Sequence, residues 1–272
     1  MRAPHDSIVA PLFPAGLEWV NVPGTGIALD SAEQGAKGAA AAGPPVSVIQ
    51  RGRPMLVEFW DFCRPNSMRT LPYMKAWHER YSPLGLRVIG VHSPGFEPSR
   101  APQAVRDAVA RLEIPYIVAI DSEMLVWQEY ENLGWPARYL FDGRARLFHY
   151  HHGEGAYEET ELAIQELVGV QREPLRALRP EDAQGAMLAA QTPDREGAYS
   201  GPYQAGGVWA VLDGSGTVSV NGGSARGGRE VAVTHAGAYA LIEHERSTAG
   251  ELELSLGAGV RCVATCFTPG LA

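Results

Sequence analysis

The sequence predicts a mixed α/β domain followed by an all-β sandwich. Three observations carry this. Apolar runs of strand length alternate with amphipathic stretches up to about residue 170. Helical periodicity then disappears. Beyond about residue 184, short alternating runs sit between Gly-rich turns, the pattern of an antiparallel sandwich. At 272 residues the chain has room for both parts.

Taken in order, LEWVNV (17–22) reads as a short strand, and residues 23–45 as a Gly/Ala-rich loop. PMLVEFW (54–60) is a buried strand. MRTLPYMKAWHERY (68–81) has apolar residues at 68, 71, 74 and 77, which is helical spacing, with Pro72 expected to kink it. LRVIGVH (86–92) and PYIVAID (115–121) are further strands. Between them APQAVRDAVARLE (101–113) is a helix with Val105, Val109 and Leu112 on one face. SEMLVWQEYEN (122–132) is a helix with Ser122 as its N-cap. WPARYLFD and ARLFHYHH flank DGR as a hairpin, and YEETELAIQELV is a helix stopped by Gly169. The expected division is a domain over 1–172, a proline-containing linker over 173–183 and a sandwich over 184–272. In the last, GVWAVLDG, GTVSVNG, REVAVTHAG, AYALIEHE, GELELSLG and VRCVATCF are the expected strands.

Composition narrows the function. Hydrophobic residues make up 45% and charged residues 20%, as in a soluble globular protein. A net charge of -8 argues against nucleic acid and anionic membrane surfaces. No apolar run reaches the length of a membrane span, and the first residues lack a signal-peptide core, so a cytoplasmic location without membrane insertion is expected. The 3 cysteines fit a reducing compartment. Cys262 and Cys266, four apart on a strand, are expected on one face roughly 13 Å apart, too far to bridge, and read as small buried residues. His149 and His151 share a strand face beside His152 but lack a third ligand, so no metal is expected, and no motif calls for a cofactor.

The chemistry concentrates in WDFCRPNSMRTLPY (60–73), a strand end, a turn and a helix start. With GLEWVNV, PMLVEFW, VIGVHSP, AIDSE, WPARYLFD and HGEGAYEETE, in that order over roughly residues 12–170, it resembles thioredoxin-fold proteins of the TlpA/DipZ-like group, which borders the AhpC/TSA-type redoxins. The later strands are similar to the carbohydrate-binding-module-like sandwich of DipZ-type proteins. The resemblance thus implies an α/β thioredoxin fold plus a C-terminal all-β, jelly-roll-like sandwich.

The family's site reads close to W-T-Y-(S/T/C)-C-x-N-C-(L/M)-R-T-L-P-Y. Laid on this sequence, Trp60 is the tryptophan and Cys63 stands one place before the first redox cysteine. Arg64 and Ser67 occupy the two cysteine positions, with Asn66 between them. Dithiol exchange needs one thiolate to attack and a second to resolve the mixed disulfide. The resemblance therefore implies that this chemistry is gone. It also implies a buried acid at Glu58, a cis-proline at Trp135–Pro136 and a strand-end His92 near the site. Three functions stay open. One is binding or scaffolding by a degenerate thioredoxin-like protein through the residual cleft and the sandwich, with a protein or small molecule as partner. A second is a thiol oxidoreductase or peroxidase centred on Cys63, whose thiolate a helix start and Arg64 would favour. The third is a glycan-binding module, with Tyr199, Tyr203, Trp209 and Tyr239 as the rings to stack on sugar.

Overall fold

The computed structural model describes residues 8–22, 52–222 and 225–272. The loop expected over 23–45 lies outside these residues. The chain forms two compact units, and the division is not a single cut. The first holds Met1–Asp61, Thr70–Pro94 and Arg100–Leu175. The second holds Phe62–Arg69, Gly95–Ser99 and Arg176–Ala272.

In the first unit the strands are β1 (Glu18–Val20), β2 (Met55–Trp60), β3 (Arg87–His92), β4 (Ile117–Ile120), β5 (Ala137–Phe141) and β6 (Leu147–His152). They form one sheet in the order β1-β4-β3-β2-β5-β6. Strands β2, β3 and β4 are parallel neighbours, and β1, β5 and β6 join antiparallel. Every residue of β2 is buried, as a strand covered on both faces requires. Met55, Val57 and Phe59 enter an apolar cluster with Ile89, Val91 and Tyr139. The alternate residues, Glu58 among them, point to the other face.

The helices are α1 (Pro65–Tyr81), α2 (Pro102–Arg111), α3 (Leu125–Glu129) and α4 (Tyr157–Val168). Helix α1 opens with Pro65 at its first position, where a missing N–H leaves nothing unpaired, and the Met68 N–H donates to Arg64 O. The helix continues through Pro72, whose ring lies on the exposed side. Helix α2 buries Val105, Ala108 and Val109. The helix expected over 122–132 is shorter, and Ser122 is not its cap. The Asp121 carboxylate accepts from Val126 N and Trp127 N at 2.9 and 3.0 Å. A carboxylate at a helix start outcompetes a hydroxyl because it carries full charge. Gly169 ends α4 at φ 71°, a left-handed conformation that suits glycine.

Glu161 ties these elements together. Its buried carboxylate accepts from Trp77 Nε1 (3.1 Å), Tyr81 Oη (2.6 Å) and Leu175 N (2.8 Å), and it pairs with Arg80 at 3.1 Å. One charge thus joins α1, α4 and the segment that follows.

In the second unit the strands are β7 (Leu188–Ala189), β8 (Arg195–Glu196), β9 (Gly201–Gly214), β10 (Gly216–Gly222), β11 (Ala225–Val233), β12 (Gly237–Leu256), β13 (Val260–Thr268) and β14 (Gly270–Leu271). All pairings are antiparallel. Six strands run in the order β11-β10-β12-β9-β13-β8, and β14 pairs with β7. AYALIEHE and GELELSLG, expected as separate strands, belong to the single 20-residue strand β12, which irregularities after Ala240 and Glu243 let bend without breaking. A Cβ on Gly250 would lie 3.0 Å from the Tyr203 ring, so glycine makes room for the ring across the strand. The core gathers Tyr203, Val208, Ala210, Leu212, Val218, Leu252 and Phe267.

Cys262 and Cys266 do not share a face. The register shifts between Cys262, opposite Leu212, and Ala264, opposite Val211. The extra residue reverses the alternation. Cys262 packs against the core with its partner Leu212, while Cys266 lies opposite Trp209 on the other face.

Glu161→Ala should cost about 3–5 kcal/mol, because it strands Arg80 and three buried or half-buried donors at once. Urea unfolding of the two proteins checks this. A loss below about 1 kcal/mol would deny Glu161 this role.

Candidate functional site

Strand β2 ends at Trp60, and the chain then enters the turn that starts α1. In the first unit, the Ser93 N–H donates to Trp60 O at 3.2 Å, which extends the β2–β3 pairing by one residue. The indole of Trp60 meets the His92 ring edge to face at 5.0 Å. His92 Nε2 lies 3.5 Å from Asp61 Oδ1, and both residues are buried. Ser93 Oγ donates to Asp121 Oδ2 at 2.8 Å, and Trp135 Nε1 donates to Ser93 O at 2.9 Å. The Trp135–Pro136 bond is cis. The structure thus brings Trp60, His92 and Trp135 together at the ends of β2 and β3, with Asp61, Ser93 and Asp121, which sequence reasoning did not single out.

Glu58 is 1% exposed and sits directly across the β2–β5 ladder from Arg138. Burial pushes its carboxyl up to about 8, and the nearby Arg138 pulls the other way. Arg138 is fully buried too. Its guanidinium lies 4.8 Å from the Tyr157 ring centre and 5.7 Å from that of Trp77, and Nη2 donates to Gly155 O. Gly90 is the residue paired with Glu58 on β3. A Cβ there would lie 2.9 Å from Trp60 Nε1 and 3.2 Å from the Tyr116 ring. The acid position is therefore filled by aromatic rings and a resident cation. Two lone, opposite charges in the apolar runs MLVEFW and ARYLF were the sequence signal for this pair.

In the second unit, Cys63 is 0% exposed and Ser67 1%, while Asn66 is exposed. Arg64 places its guanidinium 4.3 Å from the Phe96 ring centre and reaches Gly95 O at 3.4 Å. Cys63 takes part in no disulfide, and Arg64 and Ser67 hold no sulfur.

No family model matches the chain. DipZ of Mycobacterium bovis is 32% identical over 168 residues, covering 61% of this chain and 24% of that protein. The chain carries a thioredoxin-like fold related to DipZ. Human NHL repeat-containing protein 2 is 29% identical over 154 residues, 56% of this chain and 18% of that one. The chain thus spans about a quarter or less of these two relatives. The Bacillus subtilis protein YkuV, named a thiol-disulfide oxidoreductase, is 24% identical over 116 residues, 43% of this chain and 78% of its own. Among solved structures, a thioredoxin-like superfamily protein, SPOA0173, is 16% identical with a TM-score of 0.48, covering 61% of this chain and all of that one.

The four rings expected to stack on sugar do not share a face. Tyr203 is 4% exposed in the core and hydrogen-bonds His244 at 2.9 Å. Tyr199 packs against that core beside Phe267 and donates to Pro202 O. Tyr239 also packs on the core, stacked on His235. Trp209 alone belongs to the opposite face. Among the described residues no three His, Cys, Asp or Glu side chains converge as metal ligands, and no helix is long and apolar enough to cross a membrane. His149, His151 and His152 approach Thr160 Oγ1, Glu154 O and Tyr139 Oη respectively.

A carboxyl raised from 4.5 to about 8 by folding binds its proton more tightly in the folded state. Its contribution to stability is fully present below pH 4.5 and is lost as pH rises towards about 8. The urea midpoint of the wild type should therefore fall between about pH 5 and about pH 9 more than that of Glu58→Gln. Equal falls in both proteins would contradict this account of Glu58.

Proposed function

We propose that this chain is a thioredoxin-like protein that performs no dithiol exchange and acts by binding or scaffolding. The observation that carries the reading is the complete burial of Cys63, with Arg64 and Ser67 at the two positions where exchange needs sulfur. In exchange, a thiolate attacks one sulfur of a substrate disulfide and expels the other as thiolate. A second cysteine then attacks the mixed disulfide and releases the reduced substrate. The first step needs an accessible sulfur in line with the disulfide, and the second needs a neighbouring thiol. Cys63, fully buried and in no disulfide, does not meet the first need.

The burial of Cys63 also counts against a one-cysteine oxidoreductase or peroxidase, because peroxide or an external thiol must reach the sulfur. A carbohydrate partner gains no support from Tyr199, Tyr203 and Tyr239, whose rings serve the core. The partner the reading calls for is a protein or small molecule recognised by surface shape and hydrogen bonding.

Insulin reduction by dithiothreitol, with and without the protein, tests this. The wild type and Cys63→Ser should both leave the rate at that of dithiothreitol alone. Acceleration by the wild type that Cys63→Ser abolishes would replace the binding reading with a one-cysteine enzyme.

A further inference from the structure

Strands β9 and β13 of the second unit are buried on both faces. The apolar cluster of Val208, Ala210, Leu212 and Phe267 occupies one. On the other, Val211, Ala264, Cys266 and Thr268 are also buried. One hydrogen bond and one electrostatic effect bring a further segment to this part of the sheet. The Ala238 N–H donates to Phe62 O at 3.1 Å, and Ala238 is the cross-strand partner of Val211. Arg64 acts electrostatically on the Cys266 thiol, offsetting part of the effect of burial and of Asp194. The segment Phe62–Arg69, which carries Cys63, therefore lies against this part of the sheet.

The far end of that segment is fastened separately. Arg69 pairs with Glu181 at 2.9 Å, and Arg179 Nη2 donates to Arg69 O at 2.9 Å. Arg179 is itself held by Asp182 at 2.8 Å. These side chains are between 3% and 24% exposed, so the pairs are largely shielded from water and removing one partner leaves the other poorly solvated. Phe62–Arg69 is thus clamped by a backbone bond at one end and an ion-pair cluster at the other.

We infer that Ala238 and the cluster Arg179, Glu181 and Asp182 form a latch on Phe62–Arg69, so that access to Cys63 is set by local opening of this latch. The inference rests on the reading of Cys63 as an unused thiol and adds what keeps it unused. It differs from plain core burial, in which the sulfur becomes accessible only when the protein unfolds.

The test is iodoacetamide labelling of the full chain under native conditions, followed cysteine by cysteine by peptide mass spectrometry. Arg179→Gln with Glu181→Gln removes the two ion pairs that fasten this end of the segment. Ala238→Pro removes the N–H that Phe62 uses. Cys262 is the internal control, because it faces the apolar cluster and not the segment. Each variant should raise the labelling of Cys63 about tenfold, with Cys266 rising alongside and Cys262 unchanged. Unchanged Cys63 labelling in the double variant would overturn the latch, as would a parallel rise of all three cysteines, which reports global opening. Insulin reduction separates this from the functional reading: a latch can fail with that activity absent, and activity can appear with the latch intact.

Discussion

Glu58 and Arg138 face each other on β2 and β5, two strands that are otherwise largely apolar, and this pair constrains their pairing. A one-residue slip of β2 against β5 would turn Met55, Val57 and Phe59 away from their cluster. A two-residue slip would preserve the faces but set the buried Arg138 charge and the Glu58 carboxyl opposite apolar residues. The pair thus selects the register that the apolar pattern alone leaves open. That register sets where β2 ends, and so where Trp60, the turn and the start of α1 must lie. It also sets where β5 begins, just after the cis bond at Pro136.

The same pair bears on the chemistry. An acid below a thiol pair is of use when protons must come and go. Here Glu58 is covered by Trp60 and Tyr116 and shares its surroundings with a permanent cation. The sulfur nearest in sequence, Cys63, is fully buried in the second unit. In the first unit, the cis-proline and the buried acid keep their positions through packing and hydrogen bonds, without a disulfide.

Much of this was legible in the sequence. The run MLVEFW announces a strand buried on both faces, and the spacing of Leu71, Met74 and Trp77 gives the helix. The WDFCRPNSMRTLPY stretch, set beside the family pattern it resembles, implies that Arg64 and Ser67 stand where that pattern has cysteine. Other features were hidden because they arise from contacts distant in sequence. Asp121 outbids Ser122 as the cap of α3 only because the β4 end brings it to those N–H groups. Cys262 and Cys266 look like neighbours on one face until a bulge at Val263 reverses the alternation. Glu161 reads as a surface residue of an amphipathic helix, yet its buried carboxylate takes four partners, three on α1 and one at Leu175. The latch residues Arg179, Glu181 and Asp182 lie in a stretch that sequence alone describes only as a linker.

The central claim is that the folded chain keeps no thiol in a position to exchange. Incubation with oxidised glutathione, followed by mass spectrometry of the native and the urea-denatured protein, measures this directly. The account predicts that native Cys63 carries no glutathione over a period in which the denatured chain is modified at Cys63. A glutathione mixed disulfide formed at Cys63 of the native protein, at the rate of an open thiol, would contradict it.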